Sequence, residues 1–107
     1  MDRMRIGLIE TGELALDDLV ASAREAAQLG FHSLWISQTF GADALTALAV
    51  VGREVPGIEL GTAVVPIYPR HAFTLAAQAM TTQAACGGRL ALGIGLSHQV
   101  IIEKMYG

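Results

Sequence analysis

Four short apolar runs punctuate the chain: Arg5–Ile9, Ser33–Ser37, Ile58–Val65 and Leu90–Ile94. None alternates cleanly between apolar and polar positions, the pattern of strands buried on both faces of a parallel sheet. Each gap between runs carries one helical pattern. Leu16, Leu19, Val20, Ala23 and Ala27 recur at helical spacing and predict a helix over Leu16–Leu29. Asp17 and Asp18 stand in its first turn, where the helix dipole favours acids, and Gly30 is a natural stop. A second helix is predicted over Ala44–Glu54, capped by Asp43 and ended by Pro56-Gly57. A third covers Ala72–Ala85 and stops at Gly87-Gly88, and a fourth starts near Val100. The order is βαβαβαβα, with connections long enough for right-handed crossovers in an α/β layer.

Composition sharpens this outline. The chain has 107 residues, 52% of them hydrophobic, enough for one domain over residues 1–107 with its own core. Only 16% are charged, below the usual quarter, so either the chain is unusually buried or part of its surface is expected to be covered. A net charge of -3 without a cluster of Lys or Arg speaks against a nucleic-acid partner. The single Cys86 permits no intrachain disulfide, which fits a reducing compartment. It stands in an Ala-rich stretch without a CxxC pattern and reads as a small buried apolar residue. No run of 18 apolar residues is present to span a membrane, and "MDRMRIGLIE" is a poor signal peptide. The expectation is a cytoplasmic protein.

The chemistry-bearing residues gather at one edge. Glu10 and Thr11 follow the first predicted strand, and Ser37, Gln38 and Thr39 end or follow the second. The third carries Thr62 and ends before Pro66, and the fourth runs into Gly95, Leu96, Ser97, His98 and Gln99. In parallel α/β folds the carboxyl ends of the strands are where ligands bind. The pair Gly93-x-Gly95 is a poor dinucleotide fingerprint, because His98 stands where the third glycine belongs. Its glycines let something approach the backbone, let the wall bend, or simply relieve packing. His98 is a candidate proton-transfer group or donor to a ligand carbonyl, against the plainer reading of a solvated loop histidine. His32 opens a strand at the opposite edge, and His71 leads into the third helix, where capping or exposure is expected. No His, Cys, Asp or Glu pair has metal-ligand spacing, and no Ser-His-acid motif can be assembled.

The segments "IGLIE", "GFHSLWISQTF" and "IELGTAVVPIYPRHAFTLAAQAMTTQAACGGRLALGIGLSHQVIIEKMYG" together resemble the bacterial luciferase-like monooxygenases, and within them the branch that uses the deazaflavin coenzyme F-420. The succession GxxxxP…PRH…LAAQA…GGRLxLGIGLSH carries the resemblance, which runs along essentially the whole chain. It implies a parallel (βα)4 half of a TIM (β/α)8 barrel, with a flavin or deazaflavin across the carboxyl ends of the strands. It implies coenzyme F-420 as cofactor, with FMN as the alternative, and a small organic substrate exchanging a hydride with it. Ser37, Gln38 and Thr39 would line the pocket after strand two. Some deazaflavin relatives carry an Asp-His pair there, which Gln38-Thr39 replaces. Thr62, Ala63 and Val64 match the place where such relatives carry a non-proline cis peptide behind the ring, near Ala63-Val64. Gly95, Leu96 and Ser97 would border the cofactor, and His98 would face its reacting edge as the catalytic residue. Ala72 and Cys86 stand where close relatives more often have Pro and Ser.

Length is the largest departure, since the whole barrel takes about 250 residues. A four-stranded half would expose two sheet edges and an apolar inner face. The expectation is part of a longer enzyme whose edges drive self-association. A barrel closed by a second copy or a complementary half, and an inactive half-barrel acting as an interaction module, are the alternatives.

Overall fold

The structure is a computed structural model that describes residues 4–96 and 103–104. Strand β1 (Gly7–Thr11) leads into helix α1 (Leu16–Gln28), and β2 (Ser33–Ser37) into α2 (Ala44–Glu54). Strands β3 (Glu59–Thr62) and β4 (Val65–Pro66) precede α3 (Ala72–Ala85), and β5 (Leu90–Ala91) and β6 (Ile94–Gly95) follow it. Strands β1-β2-β3-β5 form one parallel sheet in that order, and β4-β6 form a second parallel pair. The βαβ rhythm is thus as the apolar runs predict.

The third and fourth runs do not form single strands. The first is interrupted at Ala63-Val64, where the peptide bond is cis, and the second at Leu92-Gly93. Backbone bonds bridge both breaks: Ala63 donates to the Ile36 carbonyl at 2.9 Å and Val65 to that of Gly93 at 2.9 Å. β1 also lies two residues later than its apolar run, because its ladder pairs Gly7 with Ser33 and Thr11 with Ser37. Of the helix predicted from near Val100, only Glu103 and Lys104 are described, and both are helical.

Burial differs along the sheet: β1 is open on one face, as a half-barrel's exposed inner face predicts, whereas β2 and β3 bury Ser33 and Gly61 on that face as well. On the helix side, Leu34, Ile36 and Leu60 are fully buried beneath Leu19, Ala23 and Ala26 of α1 and Leu45, Leu48 and Val51 of α2. Each buried Leu or Ile contributes about 1.5–3 kcal/mol relative to exposure. On the opposite face β1 leaves Gly7, Ile9 and Thr11 exposed. Leu16, which sequence spacing places on the buried side of α1, is exposed. Across the open face the register aligns Ile9, Trp35, Gly61 and Ala91 in one row. The Trp35 ring lies over Gly61, where a Cβ would fall inside it, and the indole N–H donates to the Ser33 hydroxyl at 2.9 Å. Glycine at position 61 is therefore required by its neighbour's ring.

Helices α2 and α3 meet closely. A Cβ on Gly52 would lie 2.6 Å from the Cys86 sulfur, and the Cys86 thiol lies 3.5 Å from the Leu48 carbonyl it bonds. Burial pushes the Cys86 thiol up, against the opposing charge of Arg89. Its burial is what its sequence context predicts. Arg89 holds the amino-terminal side of the sheet. Its guanidinium donates to the carbonyls of Cys86, Val55, Ile58 and Gly52 at 2.6, 2.9, 2.9 and 2.7 Å. These carbonyls include orphan acceptors at the end of α2. His32 pairs with Glu59 at 3.2 Å on the same side, far in sequence register from the carboxyl ends.

Candidate functional site

The carboxyl edge collects most of the predicted site residues. Ser37 closes β2, half-buried, and its hydroxyl makes no hydrogen bond among the described residues. Gln38 follows, also half-buried, and its backbone N–H lies 3.4 Å from the Val64 carbonyl. This bond ties the end of β2 to the cis-linked segment. Ala63 is half-buried, and Val64 is 41% exposed with Ile94 and Leu96 also exposed. Pairing of Val65 with Ile94 and of Pro66 with Gly95 sets Val64 beside the end of β6. The result is an apolar rim flanked by a hydroxyl and a carboxamide.

Several residues of this edge are engaged within the chain. Thr62 is fully buried, and its hydroxyl both donates to the Gly93 carbonyl and accepts from the Gly93 amide, each at 2.8 Å. It has no surface left to offer a cofactor and acts instead as a tie between strand ends. The glycines at 93 and 95 are filled from within the chain. A Cβ on Gly93 would collide with the Thr62 carbonyl oxygen, and one on Gly95 would lie 2.6 Å from a Val64 methyl. Thr39 is exposed and reaches back to the Glu13 carboxylate at 3.5 Å, on the β1 side of the rim. Glu10 does not face the rim at all, since its carboxylate accepts from Ser22 of α1 at 3.1 Å. Ser97 and His98 lie outside the described residues. His71 caps α3, its Nδ1 accepting from the Phe73 amide at 3.1 Å.

Behind the rim stands a polar network that the sequence did not single out. Arg70, with a side chain 10% exposed, donates to Gln78 Oε1 at 2.8 Å, to Gln38 Oε1 at 3.0 Å and to the Asp43 carboxylate. Asp43 also caps α2, accepting from the Thr46 amide at 3.1 Å and hydroxyl at 2.6 Å. Burial alone would raise the Asp43 pKa. The Thr46 bonds and the Arg70 guanidinium outweigh it and hold the carboxyl below the usual range. Arg70 sits between Pro69 and His71 in a chain with only seven Lys and Arg, and that scarcity near the carboxyl edge was the available signal. No buried side-chain polar atom lacks a partner among the described residues. Nor, among them, are three or more His, Cys, Asp or Glu placed to hold a metal ion, and no helix is long and apolar enough to cross a membrane.

The fold is part of a parallel α/β barrel. Residues 4–107 match the family model of the luciferase-like monooxygenases, and the chain belongs to that family. It is 36% identical over 90 residues to a Mycobacterium tuberculosis protein named as a coenzyme F-420-dependent oxidoreductase, a match covering 84% of this chain and 25% of that one. The fold is shared with the coenzyme F-420-dependent tetrahydromethanopterin reductase of Methanopyrus kandleri (TM-score 0.88, 21% identity, 98% of this chain and 30% of that one). It is shared equally with the oxygenating constituent of 3,6-diketocamphane monooxygenase from Pseudomonas putida, solved with FMN (TM-score 0.87, 21% identity, 98% and 33%). The chain thus spans about a quarter to a third of the length of these relatives.

Proposed function

We propose that this chain supplies the first half of the cofactor cleft of an oxidoreductase that passes a hydride between coenzyme F-420 and a small organic substrate. The observation that carries the reading is the rim itself. The Ser37 hydroxyl and Gln38 carboxamide flank exposed Val64, Ile94 and Leu96 at the carboxyl edge. A flat, hydrogen-bonding ring system needs an apolar backing and a few placed polar groups, and this donor set fits it. A bound deazaflavin would supply the two-electron chemistry, and the protein would supply orientation and electrostatics. Val64 and Ile94 keep water from one side. Ser37 and Gln38 orient the ligand, Ala63, Gly95, Leu96 and Ser97 border it, and His98 holds or moves a proton at an imidazole nitrogen. FMN with oxygen is the alternative within the same family.

Fluorescence titration of the purified chain with coenzyme F-420 and with FMN tests this reading. Saturable binding that favours F-420 is the expected result. Binding of FMN alone would move the assignment to a flavin monooxygenase, and a folded sample that binds neither overturns a cleft in this chain. In an active preparation, unchanged turnover on His98→Ala removes that residue from the mechanism.

A second reading concerns the open edge. Among the described residues β5 pairs only with β3, and beside it lies a groove of about 630 Å³ lined by Ala79, Met80, Ala84, Leu90 and Leu92. It lies against α3 and β5, not at the rim. Such a face favours self-association or a complementary half-barrel, whether or not the chain is active. Sedimentation as a well-folded monomer at micromolar concentration would exclude the self-paired form.

A further inference from the structure

We propose that Arg70 is a positioning residue that fixes the orientation of the Gln38 carboxamide, so that its NH2 arm is presented as a hydrogen-bond donor to an acceptor atom of the bound cofactor. This rests on the cofactor reading above for the identity of the ligand, but the orientation itself does not. A carboxamide has one accepting and one donating arm, and rotation by half a turn exchanges them. Two donors converge on Gln38 Oε1: the Ala44 backbone N–H at 2.9 Å and Arg70 Nη2 at 3.0 Å. Neither can accept, because a helix-terminal N–H and a guanidinium are donors only. The flipped amide would set its NH2 against both. The accepting arm is thereby committed, and the NH2 arm makes no hydrogen bond to any other described residue.

Arg70 is itself held. Asp43 and Gln78 accept from the same guanidinium, and Asp43 is fixed as the α2 cap. The chain Gln78–Arg70–Asp43 therefore links α3, the loop before it and α2 behind one side chain at the rim. The two donors that touch the half-buried carboxamide, Arg70 and the Ala44 amide, specify its polarity, while Gln78 and Asp43 hold Arg70 in place. The acceptor served has the chemistry of a carbonyl or ring nitrogen, which the NH2 arm complements.

Gln38→Glu separates this role from a structural one. It keeps the shape and keeps an oxygen facing Arg70 and Ala44, yet replaces the donor arm by an acceptor. The expected result is a melting temperature equal to or above wild type with affinity for coenzyme F-420 or FMN reduced about tenfold. Wild-type affinity in Gln38→Glu overturns the donor role. Arg70→Met is expected to weaken binding in the Gln38 background and to add nothing in the Gln38→Glu background. Equal losses in both backgrounds would make Arg70 merely structural. A ligand-free arm reads the orientation alone, through the side-chain amide pair of Gln38 in the 15N spectrum. The pair is expected to shift toward solvent-exposed glutamine positions in Arg70→Met, and an unmoved pair overturns the positioning. If wild type binds neither cofactor, the cofactor reading and the donor's ligand fail together, while the spectrum still decides whether Arg70 orients the amide.

Discussion

The Thr62 hydroxyl is bonded twice to one residue, donating to the Gly93 carbonyl and accepting from the Gly93 amide, each at 2.8 Å. It is the side-chain counterpart of a strand ladder, placed where the ladder between β3 and β5 has ended at Gly61 and Ala91. Thr62→Val keeps the shape and removes both bonds. Because the site is fully buried, the loss is expected to cost about 1–3 kcal/mol in urea unfolding. An unchanged midpoint would show that the strand ends are held by their backbone bonds alone.

Arg89 presents a second test on the opposite side of the sheet. Four carbonyls from α2, α3 and their following loops converge on its guanidinium. Arg89→Met is expected to lower stability by about 2–4 kcal/mol, since several acceptors at helix ends lose their donor together. Arg89→Lys recovers little, because an ammonium cannot span the same spread of acceptors. Calorimetry or chemical unfolding of the two variants reads this directly.

Gly61 and Trp35 give a spectroscopic test. The chain has one tryptophan, and its ring occupies the space of a Cβ at position 61. In Gly61→Ala the half-buried ring swings off the sheet toward solvent. A red-shifted emission and a stability loss of about 1–3 kcal/mol are expected. Emission identical to wild type would mean that the backbone, not the ring, gives way.

Asp43 sets a pH dependence. Its folded pKa lies below the ordinary aspartate value of about 3.9, so its stabilising contribution is complete above that value. The contribution is lost as pH falls through the depressed folded value. Asp43→Asn is therefore expected to flatten the stability profile below about pH 4 and to leave its slope above pH 5 unchanged. The comparison is made by thermal unfolding of both proteins across that range.

Much of the fold was legible in the sequence. Helix boundaries at Ala44–Glu54 and Ala72–Ala85 coincide with the structure, because Asp43, His71 and the glycines at 87 and 88 punctuate them locally. The strands were less legible, because a continuous apolar run does not reveal a break. The third and fourth runs break at Ala63-Val64 and Leu92-Gly93, where Ala63 and Val65 donate instead to the carbonyls of Ile36 and Gly93, bonds that have no local signature. The exposure of Ile9 follows from the expected open inner face of a half-barrel, though the apolar run alone does not show which residues face it. At the carboxyl edge, the placement of Ser37 and Gln38 at the end of β2 was readable from the apolar run before them. The Thr62–Gly93 bonds were not readable, because threonine at a strand end serves a ligand or a neighbouring backbone equally well. The Arg70 network was missed because it joins residues 27 and 32 positions apart.

The unequal burial of the helices has a consequence for the order in which such a chain becomes a protein. α2 buries six residues, whereas α3 buries only Thr82. A unit flanked on both sides is finished, and one flanked on a single side is only begun. On the ribosome, each βα unit of this architecture would therefore consolidate when its successor emerges, and assembly proceeds with one tacky margin travelling along the nascent chain. Chaperones that shield apolar surface would meet that margin at every stage, always in the most recently made helix.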